Sequence, residues 1–149
     1  MEEIIIAGGN IIEKNKKFLL IQETLQEVKG QWNFPLGRVE MKEDIITCTK
    51  REGEEETGLK LKPLYLVGIY QHCLTAEYNV VLFMFKSKIL RGKLKTPKDI
   101  MDARWFSFSE IEKLNKKGLL VSSYILKALR DFKAGKKLPL RSITILKKY

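Results

Sequence analysis

The chain has 149 residues, 44% of them apolar, which is the size and composition of one soluble globular domain spanning 1–149. No apolar run approaches the roughly 20 residues that cross a bilayer, and the acidic start MEEIIIAGGN is unlike an export signal. With only Cys48 and Cys73, a disulfide framework is excluded; no membrane association and a reducing cytoplasm are expected. Twenty-eight Lys+Arg against 18 Asp+Glu give +10, a field that draws nucleic acid or phosphorylated metabolites, or simply keeps the surface solvated.

EIIIA (3–7) and KFLLIQE (17–23) are short runs rich in apolar and β-branched residues and are expected as strands. Gly8 and Gly9 separate them, together with the polar stretch 13–16, which reads as a hairpin turn. Lys29 and Gly30 mark the next turn, ahead of QWNFPLG. There Pro35 biases Phe34 toward extended backbone and Gly37 permits a tight bend. Glu43 or Asp44 opens a helix, and Gly58 suits its left-handed end. Ile45, Cys48 and Thr49 give that helix a small apolar face opposite its acids. Gly53 inside it costs about 1 kcal/mol against Ala, which points to close backbone packing.

LKLKPLYLVGIYQ (59–71) and YNVVLFMFKSKIL (78–90) alternate as strands, with a turn at 75–77 and Gly92 closing the second. After Pro97, DIMDARWFSF reads as a loop entering a short strand at 104–106. Ser107 or Ser109 caps the helix SEIEKLNKKG, which stops at Gly118. The segment 122–133 is a second C-terminal helix with Tyr124, Ile125, Ala128, Leu129 and Phe132 on one stripe. Strands flanked by helices without strict alternation predict an α/β fold, an α/β/α sandwich around a mixed sheet.

The stretch 37–59, GRVEMKEDIITCTKREGEEETGL, gathers seven carboxylates in a basic chain: Glu40, Glu43, Asp44, Glu52, Glu54, Glu55 and Glu56. On a helix, Glu52, Glu55 and Glu56 stand at i, i+3 and i+4 and share a face. Spacing alone leaves two readings, a solvated acidic face or a seat for a divalent cation. Mg²⁺ takes oxygen ligands shared between carboxylates and substrate phosphates, and a backbone carbonyl at Leu36, in the 35–37 bend, could complete the set. A metal there polarises a phosphoryl oxygen and acidifies water, while Arg51 orients a carboxylate or neutralises developing charge.

This stretch resembles the Nudix box, G-x5-E-x7-R-E-U-x-E-E-x-G-U, where U is bulky and apolar. Gly37, Glu43, Arg51, Glu52, Glu55, Glu56, Gly58 and Leu59 fall in register, and Gly53 departs from an apolar position. QWNFPLGRVE is similar to the family's W-x-x-P-x-G-x-x-E lead-in, with Leu36 replacing the frequent first glycine. DIMDARWFSFSEI is similar to the segment where many members supply a further acid, here Asp99 or Asp102. The resemblance implies the Nudix sandwich and Mg²⁺- or Mn²⁺-dependent hydrolysis of a nucleoside diphosphate linked to another group. It makes Glu52, Glu55 and Glu56 metal ligands, one of them also the general base, with Glu52, Glu55 and Arg51 as the catalytic set. Glu43 then supports the hydrogen bonding between loop and helix.

No Pro lies between Pro63 and Pro97, and Tyr70 and Tyr78 miss the expected tyrosine offset, which weakens the ADP-ribose and dinucleoside-polyphosphate readings. KFLLIQET, QWNFPLGRVE, EETGL and the ending GLLVSSYILKALRDFKAGKKLPLRSI are closer to the bacterial phosphatase-type members. Those release orthophosphate from nucleoside tri- and diphosphates and from a pyrimidine pyrophosphate precursor of thiamine. The alternatives are release of a nucleoside monophosphate from a nucleotide or RNA 5′ end, or a nucleotide- or RNA-binding regulator.

Trp32 and Phe34 are candidates to stack on a base, although at least one is expected in the core with Trp105. Arg38 is a candidate phosphate contact or a solvated arginine. His72 is expected in a surface or core role. The basic residues of 127–148 face only Asp131 and read as a solvated surface or, more sharply, as an attraction for RNA. The sequence leaves the oligomeric state open.

Overall fold

The computed structural model describes residues 3–73 and 78–146, so the expected turn at 75–77 and the last lysines lie outside the described residues. Strand β1 (Glu3–Lys14) turns into β2 (Lys17–Glu23), then come the short β3 (Trp32–Asn33) and β4 (Leu36–Arg38) and helix α1 (Ile45–Thr57). Two long strands follow, β5 (Leu59–Cys73) and β6 (Tyr78–Gly92), then β7 (Ile100–Ser107), α2 (Phe108–Lys116), α3 (Tyr124–Lys133) and β8 (Leu138–Pro139). The strands form a mixed sheet in the order β3-β2-β1-β6-β5-β8, with β4 added on β1 and β7 on β2. The β1–β6 pair is parallel, from Glu3 opposite Tyr78 to Ile12 opposite Ser87, which makes the sheet mixed.

Successive residues of β1 point to opposite faces, and this sorts the molecule into layers. Ala7 and Ile11 join Ile125, Ala128 and Leu129 of α3 in one core cluster, which also takes Ile111 of α2. Ile12 belongs to a second cluster with Leu19, Ile21, Leu59, Leu61 and Ile100, on the face where Gly8 and Asn10 meet α1. Helices on both faces of a mixed sheet make an α/β/α sandwich of the α/β class. Among the described residues no helix is long and apolar enough to cross a membrane.

Two expectations are corrected. Gly8 and Gly9 lie inside β1 rather than between strands, while the hairpin turn expected at 13–16 forms at Asn15–Lys16, both at positive φ (51° and 62°). A Cβ on Gly8 would stand 2.2 Å from Thr49 Oγ1, so the residue is small to admit α1. The strand after Pro97 begins at Ile100, because β7 pairs with β2 from Ile100 to Ser107 around a bulge at Gln22 and Glu23. Ser107 caps α2 through a reciprocal capping box with Glu110.

Candidate active site on the acidic helix

Helix α1 is fixed at both ends. Asp44 Oδ1 accepts the Thr47 N–H at 2.8 Å, and Gly58, at φ 76°, closes the other end by donating its N–H to Glu54. Between the caps, glycines set the height of the helix over the sheet. A Cβ on Gly53 would stand 2.6 Å from Leu61 and 2.7 Å from the Asn10 amide, and one on Gly37 would stand 2.1 Å from Glu52 Cδ. Gly37 therefore serves close approach from within β4, and the expected bend at this residue is replaced by a strand paired with β1. Asn10, fully buried, ties the layers together: its Nδ2 donates to Pro35 O and Thr49 O, and its Oδ1 accepts from Ser87 Oγ at 2.7 Å.

The three glutamates occupy different environments. Arg51 spreads one guanidinium over several acceptors. Nε and Nη2 grip both oxygens of Glu43 at 2.6 and 2.9 Å, Nη2 also reaches Arg38 O, and Nη1 bonds Glu52 Oε1 at 2.7 Å and Glu55 Oε2 at 3.3 Å. That clamp holds the Glu43 carboxyl down at about 2 and pushes Arg51 up. Glu52, half-buried, is raised by burial despite Arg51, with Glu55 and Glu43 adding repulsion. Glu55 is exposed. Glu56 accepts the Leu36 N–H at 2.8 Å; burial, and the nearby Glu23, Glu52 and Asp99 carboxylates, push it well above the usual range.

Leu36 does lie beside these acids. The rungs from Asn10 N to Pro35 O and from Val39 N to Ile6 O alternate along β4, so the N–H and C=O of Leu36 point away from β1. Arg38 is exposed and its Nη1 is committed to Glu3 at 2.9 Å. Trp32 is corrected from a base platform to a core residue: it is 5% exposed, with Phe106 on edge at 4.8 Å and Arg104 over its ring. Phe34 is fully buried as well. Asp99 and Asp102 separate clearly. Asp102 pairs with Arg104 at 2.6 Å and caps Ala103 N, whereas Asp99 is the carboxylate that bears on Glu56 and Glu23.

Sequence reasoning missed Glu23, Asn33 and Tyr124. Tyr124 donates to Asn33 Oδ1 at 2.5 Å and Asn33 Nδ2 donates to Glu23 at 3.3 Å, joining α3, β3 and β2 beside Glu56. Partners 91 and 10 residues apart leave no periodicity to read. His72 lies at the rim of this group, near Ser122 Oγ and edge-on to Tyr124. The basic tail is less free than its charge suggests. Lys127 and Lys136 pair with Asp131, Lys133 lies over Phe108 and Lys137 over Tyr65. Tyr70 is spent on Asp131 at 2.8 Å.

Among the described residues no three His, Cys, Asp or Glu side chains are drawn into a finished metal cage. Arg51 pulls Glu52 and Glu55 to one side while Glu56 is tied to β4. One oxygen of each, Oε2 of Glu52, Oε1 of Glu55 and Oε2 of Glu56, takes no hydrogen bond from a described residue. A shallow open depression of about 400 Å³ lies on the outer side of α1 between Lys50, Glu54 and Lys60 and meets this group only at Arg51 and Glu55.

The NUDIX domain family matches residues 5–129. A relative named Phosphatase NudJ from Shigella boydii is 28% identical over 135 residues, 89% of this chain and 86% of that protein. A solved NUDIX hydrolase from Nitrosomonas europaea superposes with a TM-score of 0.87 at 28% identity, covering 97% of this chain and 98% of that one. The MutT protein from Methanosarcina mazei Go1 gives 0.75 at 26% identity, over 91% and 98%. With its eight box positions assembled around one helix, the chain belongs to the Nudix family, hydrolases of phosphorus-containing acid anhydrides.

Proposed function

We propose that the chain is a divalent-metal-dependent phosphohydrolase that cleaves a phosphoanhydride bond of nucleoside di- or triphosphates, or of related small pyrophosphates, and releases orthophosphate in the cytoplasm. The observation that carries this reading is the excess of partly buried negative charge at Glu52 and Glu56, beside the outward carbonyl of Leu36. Such a set of hard oxygen donors fits Mg²⁺ or Mn²⁺, and Glu52, Glu55, Glu56 and the Leu36 carbonyl would hold the ion. When bound, the ion supplies Lewis-acid polarisation of a phosphoryl oxygen and acidification of water.

The protein side of the mechanism is positional. Glu43 locks Arg51, and Arg51 donates to Glu52 and holds its carboxylate in place beside β4. Glu52 and Glu55 are the two acceptors set to take a proton from the attacking water. Asp99 is the further acid of the site, in preference to the paired Asp102. Arg38 reaches a substrate phosphate on releasing Glu3. The phosphatase outcome is favoured by the relatives named Phosphatase NudJ, which align over most of both chains.

A panel of nucleoside di- and triphosphates with Mg²⁺ or Mn²⁺, assayed for phosphate with and without added inorganic pyrophosphatase, tests the proposal. Direct release of orthophosphate is expected. Signal that needs pyrophosphatase would instead establish release of a nucleoside monophosphate, and no metal-dependent hydrolysis at all would leave the fold as a binding module.

A further inference from the structure

We infer that Glu23 is a specificity-determining residue: its carboxylate, aimed by Asn33 and Tyr124, accepts a hydrogen bond from an N–H or O–H donor on the organic part of the substrate. The inference rests on the nucleoside-phosphate reading above and asks what that site reads beyond phosphate.

Glu23 is held as a fixed group. Its N–H donates to Gln31 O at 2.8 Å and its C=O accepts from Gly30 N at 2.9 Å, so the end of β2 cannot swing. The side chain is held by Asn33, which is 4% exposed and has its own amide oriented by two donors, the Tyr124 hydroxyl and the Phe34 N–H. An amide pinned in this way presents one N–H to Glu23 in one direction. Next to it, Thr24 Oγ1 bonds the Asp99 carbonyl at 2.7 Å and draws the Asp99 segment against the same strand end.

The arrangement costs stability in the free protein. Glu23 is partly buried and makes no ion pair with any cation among the described residues. The charge that bears on it is a carboxylate, Asp99, which with burial raises it, and Glu23 in turn raises Glu56. A desolvated carboxylate without a cation is retained at a cost unless a ligand completes its bonding. Oε2 of Glu23 takes no hydrogen bond from a described residue. An acceptor-only group beside a phosphate-processing site repels phosphate, so the ligand atom facing it belongs to the neutral, donor-bearing moiety. Two sources have that chemistry, an exocyclic amine of a base and a sugar hydroxyl.

The test compares wild type, Glu23→Gln and Tyr124→Phe on two substrate pairs at fixed Mg²⁺: CTP against UTP, in which the exocyclic amine is replaced by a carbonyl, and a ribonucleotide against its 2′-deoxy form, which lacks one hydroxyl. The expected result for Glu23→Gln is a rise in KM of about tenfold to a hundredfold for the donor-bearing member, with the loss falling on KM rather than kcat. Tyr124→Phe acts through Asn33 and gives the same pattern at smaller size. Collapse of the CTP/UTP ratio assigns the base amine; collapse of the ribo/deoxy ratio assigns the sugar. Discrimination unchanged in both pairs overturns the inference, as does a fall in kcat with a higher Mg²⁺ requirement, which would place Glu23 with the metal-holding acids. Wild type that hydrolyses no member of the panel refutes the functional reading first and this inference with it, whereas an active wild type with an indifferent Glu23→Gln refutes this inference alone.

Discussion

The carboxylates around Arg51 and those around Glu56 lie on one helix and its neighbouring strands, yet they are kept in opposite electrostatic states. At Arg51 the charges are balanced: a guanidinium holds Glu43 on both oxygens and Glu52 on one, and the Glu43 carboxyl stays near 2. At Glu56 the charges are unbalanced: burial and the Glu23, Glu52 and Asp99 carboxylates all raise it, against the one bond from the Leu36 N–H. Balanced charge builds a rigid frame, whereas unbalanced charge is a demand for a ligand. The same residue types therefore do two jobs, separated by where the single arginine is placed.

Removing the three glutamates that span both regions, one at a time, has the largest expected effect. Replacing Glu52, Glu55 or Glu56 by Gln is predicted to lower the metal-dependent hydrolysis rate by about two to four orders of magnitude, read as kcat/KM; wild-type turnover in all three variants would sink the assignment. On the balanced side, Arg51→Lys keeps the charge but loses the fork. It should cost about 1–3 kcal/mol in denaturant unfolding and lower the rate as well, and an unchanged midpoint would show that the clamp is ornamental.

The two regions should also answer pH with opposite signs. Glu43, depressed from 4.5 to about 2, contributes stability that is complete above its unfolded pKa and is lost as pH falls toward 2. Glu56 and Glu52 are raised, so the metal-free protein gains stability as pH falls through their folded values and loses it again toward neutrality. Thermal unfolding across pH should therefore show Glu56→Gln above wild type at neutral pH and Glu43→Gln below it. Added Mg²⁺ should raise the wild-type midpoint chiefly at neutral pH. A metal-free Glu56→Gln less stable than wild type at neutral pH would contradict the unbalanced reading.

Smaller effects mark the borders. Gly53→Ala adds helix propensity of about 1 kcal/mol but places a Cβ 2.6 Å from Leu61. A net loss of about 1–2 kcal/mol is expected from the overpacking, and a gain in stability would mean that α1 can lift. Tyr70→Phe removes one hydrogen bond to the buried Asp131. It should cost about 1 kcal/mol with hydrolysis untouched, since it lies in neither region.

How much of this was legible in the sequence follows the reach of each interaction. The helix and its caps were readable because Asp44, the i, i+3, i+4 acids and Gly58 signal within a turn of themselves. Gly53 was readable as close packing because a mid-helix glycine has few other reasons to be there. Gly8 and Gly9 misled, since a glycine pair inside a strand looks locally like a break, and only residues distant in sequence, Thr49 against Gly8 and Met84 against Gly9, explain it. Trp32 misled similarly, because a side chain's burial is decided by Phe106 and Arg104, far along the chain. Asp99 could not be told from Asp102 until β7 brought Arg104 beside one and the end of β2 brought Glu23 beside the other.

The glycines under α1 carry a consequence for how such a chain can change over time. Where most helices rest on interlocking side chains, this one meets β1 and β4 at Gly8, Gly37 and Gly53, and its distance from the sheet is set by the hydrogen bonds of Asn10. Within the two apolar clusters, Leu61 is the residue that bears on this height, because it stands under Gly53. The fold itself tolerates wide sequence change, as the 28% identity beside a TM-score of 0.87 illustrates.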